Sequence, residues 1–235
     1  MNKVQTAFRE IGESCPQFKE ALRIYSTSFS PVQTRPIERI TAMLRNDRHY
    51  HLHVAMLNNV VVGISLLYVF PSLRIGLVDY MAIAQEHRRR GFGSQLFKYS
   101  LDRFQVLVSN PVGLLLEVQE PSVGERRERS IREERLRFYS RLGVRLLSGV
   151  QYLMPPQHGT EPERLYLMIF PIAKQHSLPK ETVLEYVKAI HVHVYQYENN
   201  DLLTATASTL PRSVMIAEVP LSSERTDAAP YASDK

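Results

Sequence analysis

The chain has 235 residues, of which 44% are hydrophobic and 23% are charged, and its formal net charge is +5. This balance is typical of a soluble protein with one domain of ordinary size and some additions. A single cysteine, Cys15, excludes both an internal disulfide and a cysteine-based zinc site. The N-terminal stretch "MNKVQTAFREIGESC" has no apolar run of the length of a signal-peptide core, and no segment approaches the length of a membrane span, so we expect a cytoplasmic protein with no membrane partner.

Positive charge is concentrated in two segments, "HRRRG" at 87–91 and "GERRERSIREERLR" at 124–137. In the second segment glutamates alternate with arginines, which is typical of a solvated helix with ion pairs one turn apart and not of a surface that follows a nucleic-acid duplex. No aromatic RNA-binding signature accompanies the charge. Nucleic acid is therefore not expected as a partner.

The first seventy residues predict two helices followed by a hairpin. Apolar residues recur at helical spacing in "CPQFKEALRIYSTSF" at 15–29 and "RPIERITAMLRN" at 35–46. The segments 51–57 and 60–70 are apolar strand patterns, and the Asn58-Asn59 pair between them predicts a tight turn.

Strand and helix patterns then alternate up to residue 172. Strand patterns occupy 75–83, 112–119, 144–154 and 163–172, and helical patterns occupy 94–107 and 130–143. Gly143 stands where a glycine ends a helix. No internal repeat is present.

The composition changes beyond Pro171. Residues 177–198, "SLPKETVLEYVKAIHVHVYQYE", predict one long amphipathic helix packed onto the core as an addition. Residues 220–235 are poor in apolar residues and predict a disordered tail. We therefore divide the chain into a main domain at 1–172, an extension at 173–219 and the tail.

The loop between strand 75–83 and the next helix reads Arg88-Arg89-Arg90-Gly91-Phe92-Gly93. Glycines that open a helix leave unpaired N–H groups at the positive end of the helix dipole, which is an anion site. The phosphate loop of nucleotide hydrolases needs a lysine that is missing here, and the dinucleotide fingerprint needs a third glycine where this chain has Leu96. The pattern that fits is Arg/Gln-x-x-Gly-x-Gly/Ala.

With this loop, the order of elements and the block "RFYSRLGV" at 137–144, the chain resembles the GNAT superfamily of acyl-CoA-dependent N-acyltransferases over about residues 5–170. The block departs from the family pattern at Val144, where phenylalanine is commonest. The resemblance implies an α/β (α+β) fold, with a mixed and mostly antiparallel twisted sheet of about seven strands, about four helices and a C-terminal helical addition. It also implies direct transfer of an acyl group, most often acetyl, from acyl-CoA to a primary amine without a metal.

The resemblance assigns a coenzyme site. The amides of the loop would bind the pyrophosphate, and the backbone of Met81, Ala82 and Ile83 would pair with the pantetheine arm. Arg88 occupies the basic position of the motif, whereas Arg89 and Arg90 occupy free positions and either reach the phosphates or point to water. The implied coenzyme-binding residues are Met81, Ala82, Ile83, Arg88, Arg89, Arg90, Gly91, Phe92, Gly93 and Ser94.

Two acids are candidates for the base that deprotonates the amine. Glu117 lies inside an otherwise apolar strand, where an unpaired carboxylate is costly to bury, and the resemblance implies that a glutamate in a similar strand serves as base. The alternative is that Glu117 pairs with an arginine of 124–137. Asp79 is the second candidate, and strand alternation predicts that it shares a face with Leu77 and Met81. Some members carry their base where this chain has Leu77, which weakens that assignment.

Tyr139 matches the tyrosine that, in the family, protonates the leaving thiolate. A phenol with a pKa of about 10 suits that role, and the alternative is a core aromatic beside Phe138. His49, His51 and His53 share one face of a predicted strand, but apart from Asp47 no acid or cysteine lies near them in the sequence, and we expect no metal site.

The acceptor amine is unidentified, and the resemblance implies that segments 28–36, 119–130 and 151–164 select it. The arginine-bearing insert at 119–130 suggests an acidic or phosphorylated acceptor as a hypothesis. The function that we expect is an N-acetyltransferase. The alternative is a non-catalytic acyl-CoA-binding sensor or scaffold that uses helix 178–198 to contact a partner protein. A homodimer is compatible with either.

Overall fold

The computed structural model describes residues 5–30, 33–121, 125–157 and 161–221. The predicted tail lies outside the described residues from 222 onward. The expected α/β class with a mixed, mostly antiparallel sheet is confirmed. The sheet has ten strands, where about seven were expected, and six α-helices accompany it, where about four were expected, among the described residues.

Strands and helices alternate along the chain. The strands are β1 Thr6–Ile11, β2 Tyr50–Leu57, β3 Val60–Phe70, β4 Ile75–Ile83, β5 Gly113–Gln119, β6 Arg145–Leu147, β7 Tyr152–Met154, β8 Glu163–Pro171, β9 Ser177–Pro179 and β10 Ser213–Ala217. The helices are α1 Phe18–Ser28, α2 Ile37–Asn46, α3 Phe92–Leu107, α4 Arg126–Arg141, α5 Lys180–Ala189 and α6 Asp201–Thr209. A π-helical turn at Ile190–Val194 continues α5. No helix within the described ranges combines the length and the apolar character needed to cross a bilayer.

The sheet runs in the order β1-β2-β3-β4-β5-β8-β6-β10-β9, with β7 paired to β8. β4 and β5 are its parallel pair, and the other pairs that the structure describes are antiparallel. The parallel ladder joins only Ile75–Val78 to Gly113–Leu116. Beyond it β4 pairs only with β3, and β5 only with β8. The sheet is therefore split between the ends of β4 and β5, the feature that positions the site.

Two local predictions about the chain path are confirmed. Asn58 and Asn59 join β2 to β3 with φ values of 48° and 69°, the left-handed conformation that a two-residue hairpin turn requires and that asparagine tolerates. Gly143 follows α4 with φ of 93°, a conformation in which a side chain would be strained. Both signals were readable because the chemistry lies within the turn itself.

The core lies on both faces of the sheet. On one face α1, α2 and α5 pack against the strands through buried side chains such as Ile24, Ile40 and Val187. On the other face α3 and α4 contribute Phe104 and Leu136. The sheet is thus covered on both sides, and its split opens between two packed layers.

A β-bulge in β4 changes which side chains face each layer. Leu66 of β3 pairs with Tyr80, but Leu67 pairs with Val78, so Asp79 is an extra residue. Leu77 and Tyr80 consequently face the α1–α2 layer, while Met81 contacts the α3–α4 layer. The expectation that Leu77, Asp79 and Met81 share a face is wrong, because a bulge reverses the alternation of the residues that follow it.

The C-terminal part differs from the prediction in three places. The strand expected over 144–154 is divided into β6 and β7 around Gly149, which has φ of 80°. The long helix expected over 177–198 begins only at Lys180, after β9, and its regular part ends at Ala189. The extension also joins the main sheet, because β10 pairs with β6. In the N-terminal part, the residue pattern did not reveal the strand β1.

Candidate functional site

The loop between β4 and α3 presents a row of free amides. Arg89 and Gly91 adopt left-handed φ values of 61° and 83°, and the first hydrogen-bonded amide of α3 is that of Gln95, which donates to the Gly91 carbonyl at 3.2 Å. Within the described ranges, the amides of residues 89–94 donate no hydrogen bond. Since they lie at the positive end of a 16-residue helix, they can together hold an anion.

Gly93 lets the loop approach the neighbouring elements closely. A Cβ there would lie 3.3 Å from Phe138 of α4 and 3.7 Å from Ile83 of β4. The glycine therefore keeps the start of α3 against both elements while its own amide stays free. Gly91 is required for a different reason, since its positive φ would strain any side chain.

The three arginines of the loop contact the protein. Arg88 donates from Nε to the Ile83 carbonyl at 3.0 Å, which ties the loop to the end of β4. Arg89 lies 3.6 Å from the Glu134 carboxylate with 88% of its side chain exposed. Arg90 bonds the His87 ring at 3.2 Å and lies over Phe92. Arg88 and Arg90 therefore support the loop, the Arg89 side chain is mostly in solvent, and the free backbone amides offer an anion site of their own.

The split of the sheet continues from this loop towards two carboxylates. Met81, Ala82 and Ile83, the half-buried end of β4, lie past the last pairing with β5. Asp79 follows the last paired residue of β4, and Glu117 follows the last paired residue of β5. The structure thus brings the two candidate bases to the mouth of the same split.

Glu117 is held by two tyrosines. The Tyr152 hydroxyl donates to Oε1, and the Tyr195 hydroxyl donates to Oε2 at 2.7 Å. Burial raises the pKa of Glu117 to about 7, although the two hydrogen bonds lower it. Burial also raises the pKa of both tyrosines well above their usual range, so they remain protonated donors. A half-buried carboxyl with a pKa near neutrality can accept a proton at the pH of the cell.

The alternative in which Glu117 pairs with an arginine of 124–137 is wrong. Arg132 donates to the Glu120 carbonyl at 3.2 Å, and Arg135 donates to the Gln119 side chain at 3.4 Å. Both are directed to the residues after Glu117, because the carboxylate turns to the α1–α2 side of the sheet, where the tyrosines lie.

Asp79 is committed to a buried ion pair with Arg35. Both side chains are almost fully buried, and the Tyr50 hydroxyl also donates to Asp79, at 2.5 Å. Asp79 and its neighbours raise the pKa of Arg35 well above its usual range in spite of burial. The Tyr25 hydroxyl fixes the backbone of Arg35, accepting from its amide at 2.8 Å and donating to its carbonyl at 2.9 Å.

Tyr139 lies in the core beside the other end of the site. Its ring centroid is 6.3 Å from that of Phe97 and 5.1 Å from that of Phe138. Burial raises its pKa, and ring contacts, with no hydrogen bond of its hydroxyl, are what the described residues show for it. A protonated, uncommitted hydroxyl is compatible with proton donation, and the ring contacts agree with the packing role.

The sequence pattern did not identify four residues of the site, namely Arg35, Tyr50, Tyr152 and Tyr195. Arg35 and Tyr152 lie in segments expected to select the acceptor, but nothing in their surroundings marks them individually. Residues 31–32, 122–124 and 158–160 of the three acceptor segments lie outside the described residues.

The extension is part of the site through Tyr195. The alternative function required helix 178–198 to contact a partner, but Val183, Val187 and Ile190 are fully buried in the core of this chain. The apolar face of this helix, as far as the structure describes it, is therefore packed against the rest of the chain and is not available to a partner protein.

His49, just before β2, lies 3.2 Å from the Asp47 carboxylate, and the two histidines of β2 also serve separate local contacts. His51 lies 2.7 Å from the Glu10 carboxylate, which β1 brings from outside the sequence neighbourhood. His53 is buried, bonds Ser100 at 2.9 Å, and has its pKa lowered by burial to about 4. The described residues contain no group of three potential metal ligands.

Comparison with known proteins extends these observations. The sequence model described as "Acetyltransferase (GNAT) family" matches residues 18–122, which run from α1 through β5 and include the loop and α3. Among curated protein sequences none matches this chain.

Similar solved structures show the same fold. A putative acetyltransferase of the GNAT family from Bacteroides thetaiotaomicron is 23% identical, with a TM-score of 0.64 over 82% of this chain and 99% of its own. A GNAT family acetyltransferase from Elizabethkingia anophelis with acetyl-CoA bound is 16% identical, with a TM-score of 0.50 over 71% of this chain and 98% of its own. The ribosomal-protein-S18-alanine N-acetyltransferase from Escherichia coli is 13% identical, with a TM-score of 0.51 over 73% and 96%.

Proposed function

Because this chain belongs to the GNAT superfamily, we propose that it is an N-acyltransferase that transfers an acetyl group from acetyl-CoA to a primary amine, with Glu117 as the base. Acyl transfer is the chemistry of the family, and the donor, the acceptor class and the residue roles are our proposal. The observation that carries it is the position of Glu117, whose pKa of about 7 is matched to proton transfer, at the mouth of the split between β4 and β5.

The residues around the split fit a coenzyme A thioester. The free amides of residues 89–94 suit the two negative charges of a pyrophosphate, and the unpaired end of β4 at Met81–Ile83 offers backbone groups to an extended amide-bearing arm. When bound there, acetyl-CoA would supply the activated acyl group. The protein supplies its binding and orientation.

Glu117 would remove the proton from the attacking amine. An alkylamine has a pKa of about 10 and is almost entirely protonated at neutral pH, so a base is needed before the nitrogen can attack. The two tyrosine hydroxyls leave each carboxylate oxygen with a further lone pair, through which Glu117 can accept the proton directly or through a water.

Tyr139 would donate the proton that the departing thiolate needs. Its raised pKa keeps the phenol protonated at neutral pH, which is the state an acid requires before transfer. Its uncommitted hydroxyl supports this role over a purely packing one.

Asp79 is proposed to hold Arg35 instead of acting as the base. Its carboxylate already accepts from Arg35 and Tyr50, and leaving Arg35 buried without a counter-charge would be strongly unfavourable. The Arg35 guanidinium lies 5.0 Å from the Tyr80 ring and 5.5 Å from the Tyr195 ring, so the ion pair packs against Tyr195, one of the two partners of Glu117.

The proposal is tested by measuring thiol release from acetyl-CoA across a panel of primary amines. We expect at least one amine to be acetylated, and Glu117→Gln to lower kcat by about 10²–10⁴ while acetyl-CoA binding by calorimetry is retained. Tyr139→Phe should lower kcat without weakening acetyl-CoA binding.

The matched control is Glu133→Gln, which makes the same change on α4 at a surface ion pair with Arg137 and should leave the rate unchanged. Failure to bind acetyl-CoA would contradict the proposal altogether. Binding without turnover on any amine would favour the acyl-CoA sensor.

A further inference from the structure

The carboxylate of Glu117 is fixed from two directions. Tyr152 reaches Oε1 from β7, whereas Tyr195 reaches Oε2 from the C-terminal extension, 78 residues after Glu117. Both tyrosines are buried. A carboxylate that accepts a hydrogen bond on each oxygen is fixed in orientation, since each hydrogen bond is directional.

A π-helical turn brings Tyr195 to this place. Its amide donates to the Ile190 carbonyl, five residues earlier, at 3.2 Å. Turns of this kind are rare in proteins, and those that occur often lie at functional sites. Because a π-turn holds one residue more than an α-turn, Tyr195 points about 100° away from the direction that an uninterrupted helix would give it.

The turn is fixed by contacts with two other elements. Arg39 of α2 donates from Nη2 to the Tyr195 carbonyl at 2.6 Å and to the Val194 carbonyl at 3.3 Å. The His191 ring donates from Nε2 to the Leu153 carbonyl of β7 at 3.0 Å. Since Leu153 is the neighbour of Tyr152, this contact fixes the two tyrosines relative to each other.

We propose that Tyr195 is a positioning residue for the base, so that the C-terminal extension completes the catalytic site. This inference rests on the proposed function of Glu117. The charged groups that face Glu117 are Asp79 of β4, which raises its pKa, and Arg35 before α2, which lowers it. Neither is altered when the Tyr195 hydroxyl is removed, so a change in the titration of Glu117 reports the hydroxyl.

The direct test is a titration of Glu117 in the full chain labelled with ¹³C at glutamate carboxyls, with Glu117→Gln identifying the signal. Wild type should titrate near pH 7. In Tyr195→Phe the carboxylate loses a hydrogen bond that favours its charged form, and the midpoint should rise by about one pH unit. Tyr152→Phe should act in the same direction.

The matched control is Tyr197→Phe, which removes a hydroxyl two residues away. Tyr197 contacts His191 through its ring and makes no hydrogen bond to Glu117. The midpoint of the Glu117 titration in Tyr197→Phe should therefore equal that in wild type. A second variant, Arg39→Met, frees the Tyr195 carbonyl and should also raise the midpoint.

In turnover, Tyr195→Phe should move the acidic limb of the pH profile of kcat/KM upward with the NMR midpoint and leave the KM for acetyl-CoA unchanged. A Tyr195→Phe midpoint equal to that of wild type, in a protein with unchanged unfolding temperature, would overturn the inference. If Glu117→Gln keeps full activity while Tyr195→Phe still raises the midpoint, the proposed function fails and the contact to Glu117 stands.

Discussion

Replacing Glu117 by glutamine should stabilise the protein in a way that depends on pH. In the folded chain burial raises the pKa of Glu117 from its ordinary value of 4.5 to about 7. Below 4.5 the group is protonated in both the folded and the unfolded states. Between the two values the unfolded chain ionises first, so wild type loses stability as the pH rises, and the loss is complete above about pH 7.

The magnitude follows from the separation of the two pKa values. A gap of about 2.5 pH units, at 1.36 kcal/mol per unit, corresponds to about 3 kcal/mol in the free energy of unfolding. The half-buried Glu117 keeps some contact with solvent, which screens its charge and brings the expected loss to about 2–3 kcal/mol.

The assay is urea unfolding of wild type and Glu117→Gln from about pH 4 to about pH 9. Glutamine also leaves one tyrosine hydroxyl without an acceptor, but that cost is the same at every pH, and the titrations of other groups are common to both proteins. The difference between the two curves should therefore increase from pH 4.5 to pH 7 in favour of the variant and then level off. A difference that does not change with pH would refute the raised pKa of Glu117.

Three further outcomes follow from buried charges and from the loop. Because burial lowers the pKa of His53 to about 4, wild type should lose up to about 3 kcal/mol of unfolding free energy relative to His53→Gln as the pH falls from 6.5 towards 4, which urea unfolding at several pH values measures; an equal loss in both proteins would contradict it. Gly91→Ala should weaken acetyl-CoA binding, measured by calorimetry, and should lower the free energy of unfolding by about 1–2 kcal/mol because Gly91 has a positive φ. Gly12→Ala, whose Cβ would meet nothing within 4 Å, should change neither quantity. Arg35→Met should destabilise the chain by about 3–5 kcal/mol because it leaves Asp79 buried and unpaired; Arg35→Met with Asp79→Leu should recover most of that loss, and an equally unstable double variant would be the contrary result.

The features predicted from sequence are those whose chemistry is local. The Asn58-Asn59 turn, the glycine after α4 and the glycine-bearing loop are each decided by residues adjacent in the chain. Glu117 could be singled out for a similar reason, since an acid among leucines and valines is conspicuous within a single strand. Its tyrosine partners could not be named from that pattern.

The features that were missed depend on register and on contacts far apart in the sequence. The bulge at Asp79 exists only in relation to β3, and so the alternation rule failed there. Tyr195 lies near the end of a segment whose apolar pattern predicts one continuous helix, and no residue in the π-turn marks the extra residue. Arg35 meets Asp79 because of the strand order and the placement of α1, neither of which a single segment encodes.

The central claim, that Glu117 is the base of an acetyl transfer, is tested most directly by the pH dependence of kcat/KM. The measurement uses wild type and Glu117→Gln with the best amine of the panel and with acetyl-CoA held at saturation. The wild-type profile should fall on the acidic side with a midpoint near pH 7, and this limb should be absent from the much slower variant. The same limb in both proteins at comparable rates would contradict the claim.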